Sequence, residues 1–393
     1  MPRRSVVRWS HLLFVAAFFG LLMAPGLAGH WWHGVQIAEN RTLAPPPQRP
    51  RSWQQLLAWP KQADDYLADH FGGRLDMVVA FNRARYRLFG ETPGEQAVFG
   101  QHGRLFLTSH DAIHPYSLIG FICGVDVADK QLDAAAADLD VFFRQAKSWA
   151  TESYLMSVPT APALYGEDLA PWLQSQCSAT TMDRLLPRLQ HGDLANHLLY
   201  PRAAMAEAKS RGQVIPLTNF HWQGVGAEAA AVAFAEGRLG LSPRMTLPTR
   251  VEVEPSDIGQ MIAGIPTANA VRLPDYLAAG VQYCLGPACF PALGAAANVI
   301  ADLSSLRSPQ AGDKKLLILS DSFGTALVGW FAPYFGSVWH FSVSNLGRLS
   351  ADQREAFRRQ VFADYRPDVV LYVLHDGSIH YWPKLAAQNL WGP

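Results

Sequence analysis

The 393-residue chain is short of charge. Lys, Arg, Asp and Glu make up 17% of it, well under the usual quarter, and 33 basic residues face 33 acidic ones. With no cationic excess to displace counterions from phosphates, a dedicated nucleic-acid binder is excluded. The chain has four cysteines, no repeat of solenoid period, and no low-complexity tract beyond one proline-dense stretch. No acidic residue occurs before Glu39. Hydrophobic types reach 49%, and 27 Pro and 31 Gly are ordinary for a folded protein, so wholesale disorder is excluded and a sizeable core is expected.

The first thirty residues are built differently from the rest. Arg3, Arg4 and Arg8 precede an uncharged run from Leu12 to Gly29, the order of an export signal. A run of roughly 18 residues at 1.5 Å each covers most of a bilayer core, so residues 12–29 can anchor the chain with the basic end in the cytoplasm. Gly26-Leu27-Ala28 is also a small-x-small site of the kind a signal peptidase accepts, whereas Trp31 and Trp32 suit an interfacial belt and favour retention. Residues 1–30 are thus read as a signal anchor or signal peptide, and 31–58 as a linker. Either way the remaining chain lies outside the cytoplasm. In that oxidising compartment Cys284 with Cys289, and Cys123 with Cys177, is the simplest of three possible pairings. Removing the three arginines leaves the rest slightly acidic.

Residues 59–393 read as one layered α/β domain, in which short apolar runs alternate with helical stretches. AVFGQHGRLFL (97–107) predicts a strand, a turn and a strand; QLDAAAADLDVFFRQAKSWA (131–150) predicts an amphipathic helix burying Leu132, Leu139, Phe142 and Phe143. GAEAAAVAFAEGRLG (226–240) is a strong Ala-rich helix, and 241–300, richer in Pro and Gly, reads as an insertion. The last third alternates most clearly: KKLLILS strand, helix after Ser322, VWHFSV strand, helix, DVVLYVL strand.

Two segments can carry chemistry. Ser322 follows an apolar strand and opens the expected helix, at the carboxyl edge of the sheet where ligands bind. Its N–H then sits at a helix N-terminus and can help hold an oxyanion, although Asp and Ser are also ordinary helix caps. His221, in TNFHWQG between a short strand and the Ala-rich helix, has Asn219 two residues before it. An Asx at that offset can accept from one ring nitrogen and leave the other as base toward a serine.

In combination these features resemble the alginate O-acetyltransferase-like, SGNH-hydrolase-like family of exopolysaccharide acetylation proteins. The matching elements are Glu39-Asn40-Arg41-Thr42-Leu43, Asp69-His70-Phe71-Gly72-Gly73-Arg74, Gly100-Gln101-His102-Gly103-Arg104-Leu105-Phe106, Asn219-Phe220-His221-Trp222 and Ser320-Asp321-Ser322-Phe323. Their order spans nearly the whole exported chain. The resemblance implies an SGNH-hydrolase-like layered parallel sheet, with Ser322 as nucleophile, His221 as general base and residue 219 as its orienter. It implies acetyl transfer to polysaccharide hydroxyls in the periplasm, with a membrane-bound O-acyltransferase as donor partner and no cofactor.

Two positions depart from that pattern: Asn219 stands where the family has Asp, and Ser320 where it has Gly. Three readings follow: an active enzyme with an Asn orienter, an enzyme that recruits another carboxylate such as Asp376 or Asp193, or a non-catalytic glycan-binding accessory protein. Transferase and carbohydrate acetylesterase are equally compatible with the residues. Further candidates for oxyanion or substrate contact are Asn345, Trp222, Tyr372 and Asp321. Tyr372, His375, Asp376 and His380 cluster at the carboxyl end of the last strand and are expected near the same crevice. Trp222, Trp330 and Trp339 offer flat faces for sugar rings or serve as core. Asp69, His70 and Arg74 are read as structural.

Overall fold

The computed structural model describes residues 3–28, 43–70, 72–90, 96–108, 117–125, 127–150, 152–262, 264, 268–300 and 302–392. The expected belt residues Trp31 and Trp32, the matched segment Glu39–Thr42, and Phe71 lie outside them. Two compact units form: residues 1–93 with 259–266, and residues 94–258 with 267–393.

In the first unit the helices are Arg3–Ala28, Trp53–His70 and Arg74–Phe89. Among the described residues no helix is long and apolar enough to cross a membrane. The Asp69 carboxylate accepts the Ala44 N–H at 2.9 Å within this unit. Arg83 Nε donates to the Gly264 carbonyl at 2.9 Å, which ties the 259–266 segment to this unit.

Among the described residues the second unit contains eleven strands: β1 (Ala97–Phe99), β2 (Leu105–Leu107), β3 (Ser153–Val158), β4 (Leu198–Leu199), β5 (Thr249–Pro255), β6 (Ala268–Pro274), β7 (Gln282–Leu285), β8 (Leu303–Arg307), β9 (Lys315–Ser320), β10 (Ser337–Ser342) and β11 (Val369–His375). Seven form one sheet in the order β4-β3-β11-β9-β10-β8-β7. The pairs from β4 to β10 are parallel, while β8 and β7 add antiparallel at one edge, so the expected parallel sheet is a mixed one. β7 comes from the stretch expected as an insertion. The rest of that stretch includes a separate antiparallel hairpin, β5-β6.

The central strands lack a polar face because both faces are covered. Leu316 and Ile318 of β9 point to the layer holding the Ala-rich helix Val225–Val232, whereas Leu317 and Leu319 point to the layer holding the helices Asp129–Trp149, Ala351–Arg358 and Trp382–Trp391. The helix Asp129–Trp149 buries the expected Leu132, Leu139, Phe142 and Phe143. A Cβ on Gly226 would stand 2.0 Å from the Val214 carbonyl oxygen, so only glycine lets the Ala-rich helix approach the segment that leads to His221, which runs in bends and turns where a short strand was expected. Cys123–Cys177 and Cys284–Cys289 are both disulfides.

One local expectation fails at a consequential place. Ser322 does not open an α-helix: it lies in a turn, and a 3-10 helix, Thr325–Phe331, follows. A long macrodipole is therefore not what faces the serine.

Candidate active site

β9 ends between β11 and β10, and hydrogen bonds from both neighbours hold the chain just beyond it. Asp321 N donates to Val373 O at 3.0 Å, and Val343 N donates to Ser320 O at 2.8 Å. The buried Asp321 carboxylate then bends the chain: one oxygen accepts Phe323 N–H at 2.9 Å and the other accepts His375 N–H at 2.8 Å. Burial pushes this carboxyl up to about 6, against those hydrogen bonds. Asp321 is thus a fastener of the turn and does not reach substrate. On the far side the fully buried Trp222 donates its Nε1–H to the Phe323 carbonyl at 2.8 Å. Between these two pins Ser322 projects to solvent.

His221 meets it. Its Nε2 lies 2.8 Å from Ser322 Oγ, and its Nδ1 lies 2.7 Å from Oδ2 of Asp257. Asp257 also accepts the main-chain N–H groups of Phe220 at 2.8 Å and His221 at 3.0 Å. Burial raises the Asp257 carboxyl, but the hydrogen bond and charge of His221 and the two amides outweigh it and hold it below its ordinary value. An ionised Asp257 can only accept, so Nδ1 carries the proton and Nε2 is left to accept from Ser322 Oγ–H. The three side chains form the nucleophile, base and orienter arrangement of a serine-dependent acyl transferase or hydrolase.

The orienting position expected of Asn219 is therefore occupied by Asp257, which follows β5. Asn219 is buried one step behind it: its amide oxygen accepts Asp257 N–H at 3.3 Å and Asn269 Nδ2–H at 2.9 Å. The carboxylates considered as substitutes are engaged elsewhere. Asp376 accepts from Thr160 Oγ1 at 2.6 Å and Tyr200 Oη at 3.2 Å, and burial pushes it up to about 6. Asp193 is exposed and pairs with Lys147 at 3.4 Å. Asp257 carried no sequence signal beyond being an acidic residue after a strand; it stands 36 positions from His221.

The remaining candidates scatter. Tyr372 faces the opposite layer of the sheet, buried beside Phe142 and Trp391 with no partner for its hydroxyl among the described residues, because alternate residues of β11 point to opposite faces. His375 does come to the site, its ring packed 5.2 Å from Phe220 and 5.1 Å from Phe323. His380 packs on Phe121 instead. Asn345 opens the 3-10 turn Leu346–Arg348, its carbonyl accepting Arg348 N–H at 3.0 Å, and it makes no hydrogen bond to the Ser322 loop. Trp222 and Trp330 are buried, and Trp339 stacks on Tyr365 at 3.9 Å. The ring faces of Trp222 and Trp330 are thus closed to a sugar, and the half-buried Trp339 has one face taken by Tyr365.

The class of site is thus a Ser–His–Asp constellation at the carboxyl edge of a mostly parallel α/β sheet. No family model and no curated protein matches the chain. Among solved structures, similarity extends to a DHHW family protein from Eubacterium siraeum, at 20% identity over 75% of this chain and 98% of that one, with a TM-score of 0.49. It extends also to the O-acetyltransferase domain of Pseudomonas putida AlgJ, at 16% identity over 77% and 100% with a TM-score of 0.44. Bacillus cereus PatB1 is similar at 11% identity over 72% and 97%, with a TM-score of 0.45.

Proposed function

We propose that the protein is an O-acetyltransferase that moves acetyl groups onto hydroxyls of an extracytoplasmic polysaccharide. The observation that carries the reading is the unbroken line from Asp257 through His221 to Ser322, 2.7 and 2.8 Å long. His221 Nε2 takes the Oγ proton as Oγ bonds to the acetyl carbonyl carbon. The donor's leaving oxygen departs with that proton, and an acetyl ester of Ser322 remains. A sugar hydroxyl then attacks the ester, giving its proton to Nε2 and restoring Ser322. No cofactor enters the cycle.

The substrate half of the proposal rests on the sequence resemblance to exopolysaccharide acetylation proteins. Ser322 is exposed and His221 partly so, which suits an acceptor too large to be enclosed. Two disulfides and the basic-then-apolar N-terminus support a place outside the cytoplasm. The proposal includes anchorage in the inner membrane through residues 12–29 and an acyl-donating membrane partner. A complete charge line favours this reading over a non-catalytic accessory protein, since a site that only held glycan would gain nothing from an imidazole aligned on a hydroxyl.

A sulfonyl fluoride probe tests the centre of the proposal. Labelling should fall on Ser322 and disappear in His221→Ala; well-folded protein that takes up no label counts against any enzyme. Incubation with an acetyl ester and an oligosaccharide then separates transfer from hydrolysis, because transfer leaves acetyl on the sugar whereas hydrolysis leaves only free acetate.

A further inference from the structure

Beneath the Ser322 loop runs a buried polar chain that the reaction described above leaves unused. His340, within β10, is wholly buried, as are Ser304 on β8 and Ser320 at the end of β9. His340 Nε2 lies 2.8 Å from Ser320 Oγ, and Nδ1 lies 3.5 Å from Ser304 Oγ. Ser320 Oγ donates to the Asp321 carbonyl at 2.6 Å. A hydroxyl has one proton, so with that of Ser320 committed to Asp321, the contact at Nε2 is donation by the ring into Ser320 Oγ, and Nδ1 accepts from Ser304. Such a chain needs a neutral ring. Burial supplies it by pushing His340 down to about 4. The catalytic loop rests directly on the chain: a Cβ on Gly324 would lie 2.0 Å from Ser320 Oγ and 2.6 Å from His340 Nε2.

The Asp321 carbonyl and the Ser322 N–H belong to the same peptide unit. Phe323 N–H is committed to the Asp321 carboxylate, whereas Ser322 N–H has no acceptor among the described residues. Linked hydrogen bonds polarise one another, so donation into the carbonyl strengthens the N–H at the other end of the unit. We propose that Ser304, His340 and Ser320 position and polarise the Asp321–Ser322 peptide so that the Ser322 N–H serves as the oxyanion donor. This rests on the acyl-transfer reading of the site. Ser320 and His340 are positioning residues, and the hydroxyl at 320 is one that a glycine, as in the resembling pattern, would not supply.

The test pairs a spectroscopic with a kinetic measurement on the whole chain. Nitrogen-15 correlation spectra of the imidazoles, with His340 assigned by its loss in His340→Gln, should place the proton on Nε2. A proton on Nδ1 overturns the chain whatever the enzyme does. With p-nitrophenyl acetate as probe substrate, Ser320→Ala should lower kcat about 10-fold and leave KM within about 2-fold, a fraction of the 10²–10³ typical for outright loss of an oxyanion donor. An unchanged kcat, or a fall in which KM rises in step, overturns the proposal. If the wild-type protein neither takes a sulfonyl label at Ser322 nor turns over the ester, the acyl-transfer reading falls and the oxyanion role with it, a result told apart from failure of the chain by the proton position.

Discussion

The two halves of the site are held by different means. Ser322 stands on the central sheet: the strand before it is buried on both faces, and its turn is pinned by Asp321 to β11 and by Trp222 at Phe323. His221 and Asp257 stand beside the sheet: one oxygen of the Asp257 carboxylate takes both the ring and the main-chain N–H of His221, the other takes Phe220 N–H, and the Asn219–Asn269 contact to the β5-β6 hairpin backs them. That hairpin is thinly covered, and Val251 and Val253 on β5 are 69% and 75% exposed. The nucleophile is thus bound up with global stability, while the base and its carboxylate can be altered at less cost to the fold, the main-chain amides that Asp257 holds being the part that is lost. Changes on one side should register in melting, and on the other in turnover.

The sharpest separation is expected from Asp257→Asn. Loss of the charge and of the correct imidazole tautomer should reduce kcat by about 10³–10⁴-fold, the scale seen when the equivalent carboxylate is neutralised in serine proteases. The melting temperature should fall by only a few degrees, less than for a buried core change, because each carboxylate oxygen accepts two N–H groups and the new NH2 leaves one such pair without an acceptor. A large drop in melting temperature, measured by circular dichroism, would erase the distinction between the halves. Trp222→Ala tests the other half. Removing a wholly buried indole that also caps the Phe323 carbonyl should cost about 3–5 kcal/mol in denaturant unfolding.

Acid sensitivity should divide along the same line. Burial pushes Asp321 and Asp376 up to about 6 from an ordinary 3.8. A carboxyl raised in the fold stabilises it while protonated, fully below the unfolded value, and that contribution is lost as pH rises through about 6. Asp257 is held below its ordinary value and acts in the opposite sense: its contribution is present above the unfolded value and is lost as pH falls through the folded one. Asp376→Asn removes one raised group. Wild-type stability should fall relative to this variant between pH ~4 and ~7 by on the order of 2 kcal/mol, read from urea midpoints at each pH. Parallel curves would mean that Asp376 is ionised at no cost.

What could be read from the sequence follows the same division. The alternation of apolar strand and helix in the last third was legible because it is local, and it led to Ser322. His221 emerged from a short motif. Asp257 did not, since its role depends on a hairpin returning to a loop 36 residues away, and nothing within TRVEVEPSD distinguishes that aspartate from a solvated one. The 3-10 turn after Ser322 also escaped, because the Asp321 carboxylate satisfies the amide that an α-helical cap would otherwise claim. Tyr372 was misplaced for a simpler reason: a strand buried on both faces carries no alternation of polarity to say which residues point toward the crevice.

The smallest expected effect is the most discriminating. Read from motif alone, Asn219→Asp restores a missing carboxylate and should raise activity. In the structure the imidazole nitrogen it would serve is already bound to Asp257, and the amide oxygen of Asn219 accepts from Asp257 N and Asn269 Nδ2. An aspartate can keep both contacts through one oxygen, but it brings a second negative charge to the rear of the first, in a buried place. Two carboxylates so close resist joint ionisation, which weakens Asp257 as a partner for His221. Turnover of an acetyl ester should therefore fall by a few-fold, on the order of 1 kcal/mol in transition-state stabilisation, without any gain at higher pH. A rise in kcat would mean that residue 219 reaches the imidazole after all, and that Asp257 is a structural neighbour of the site.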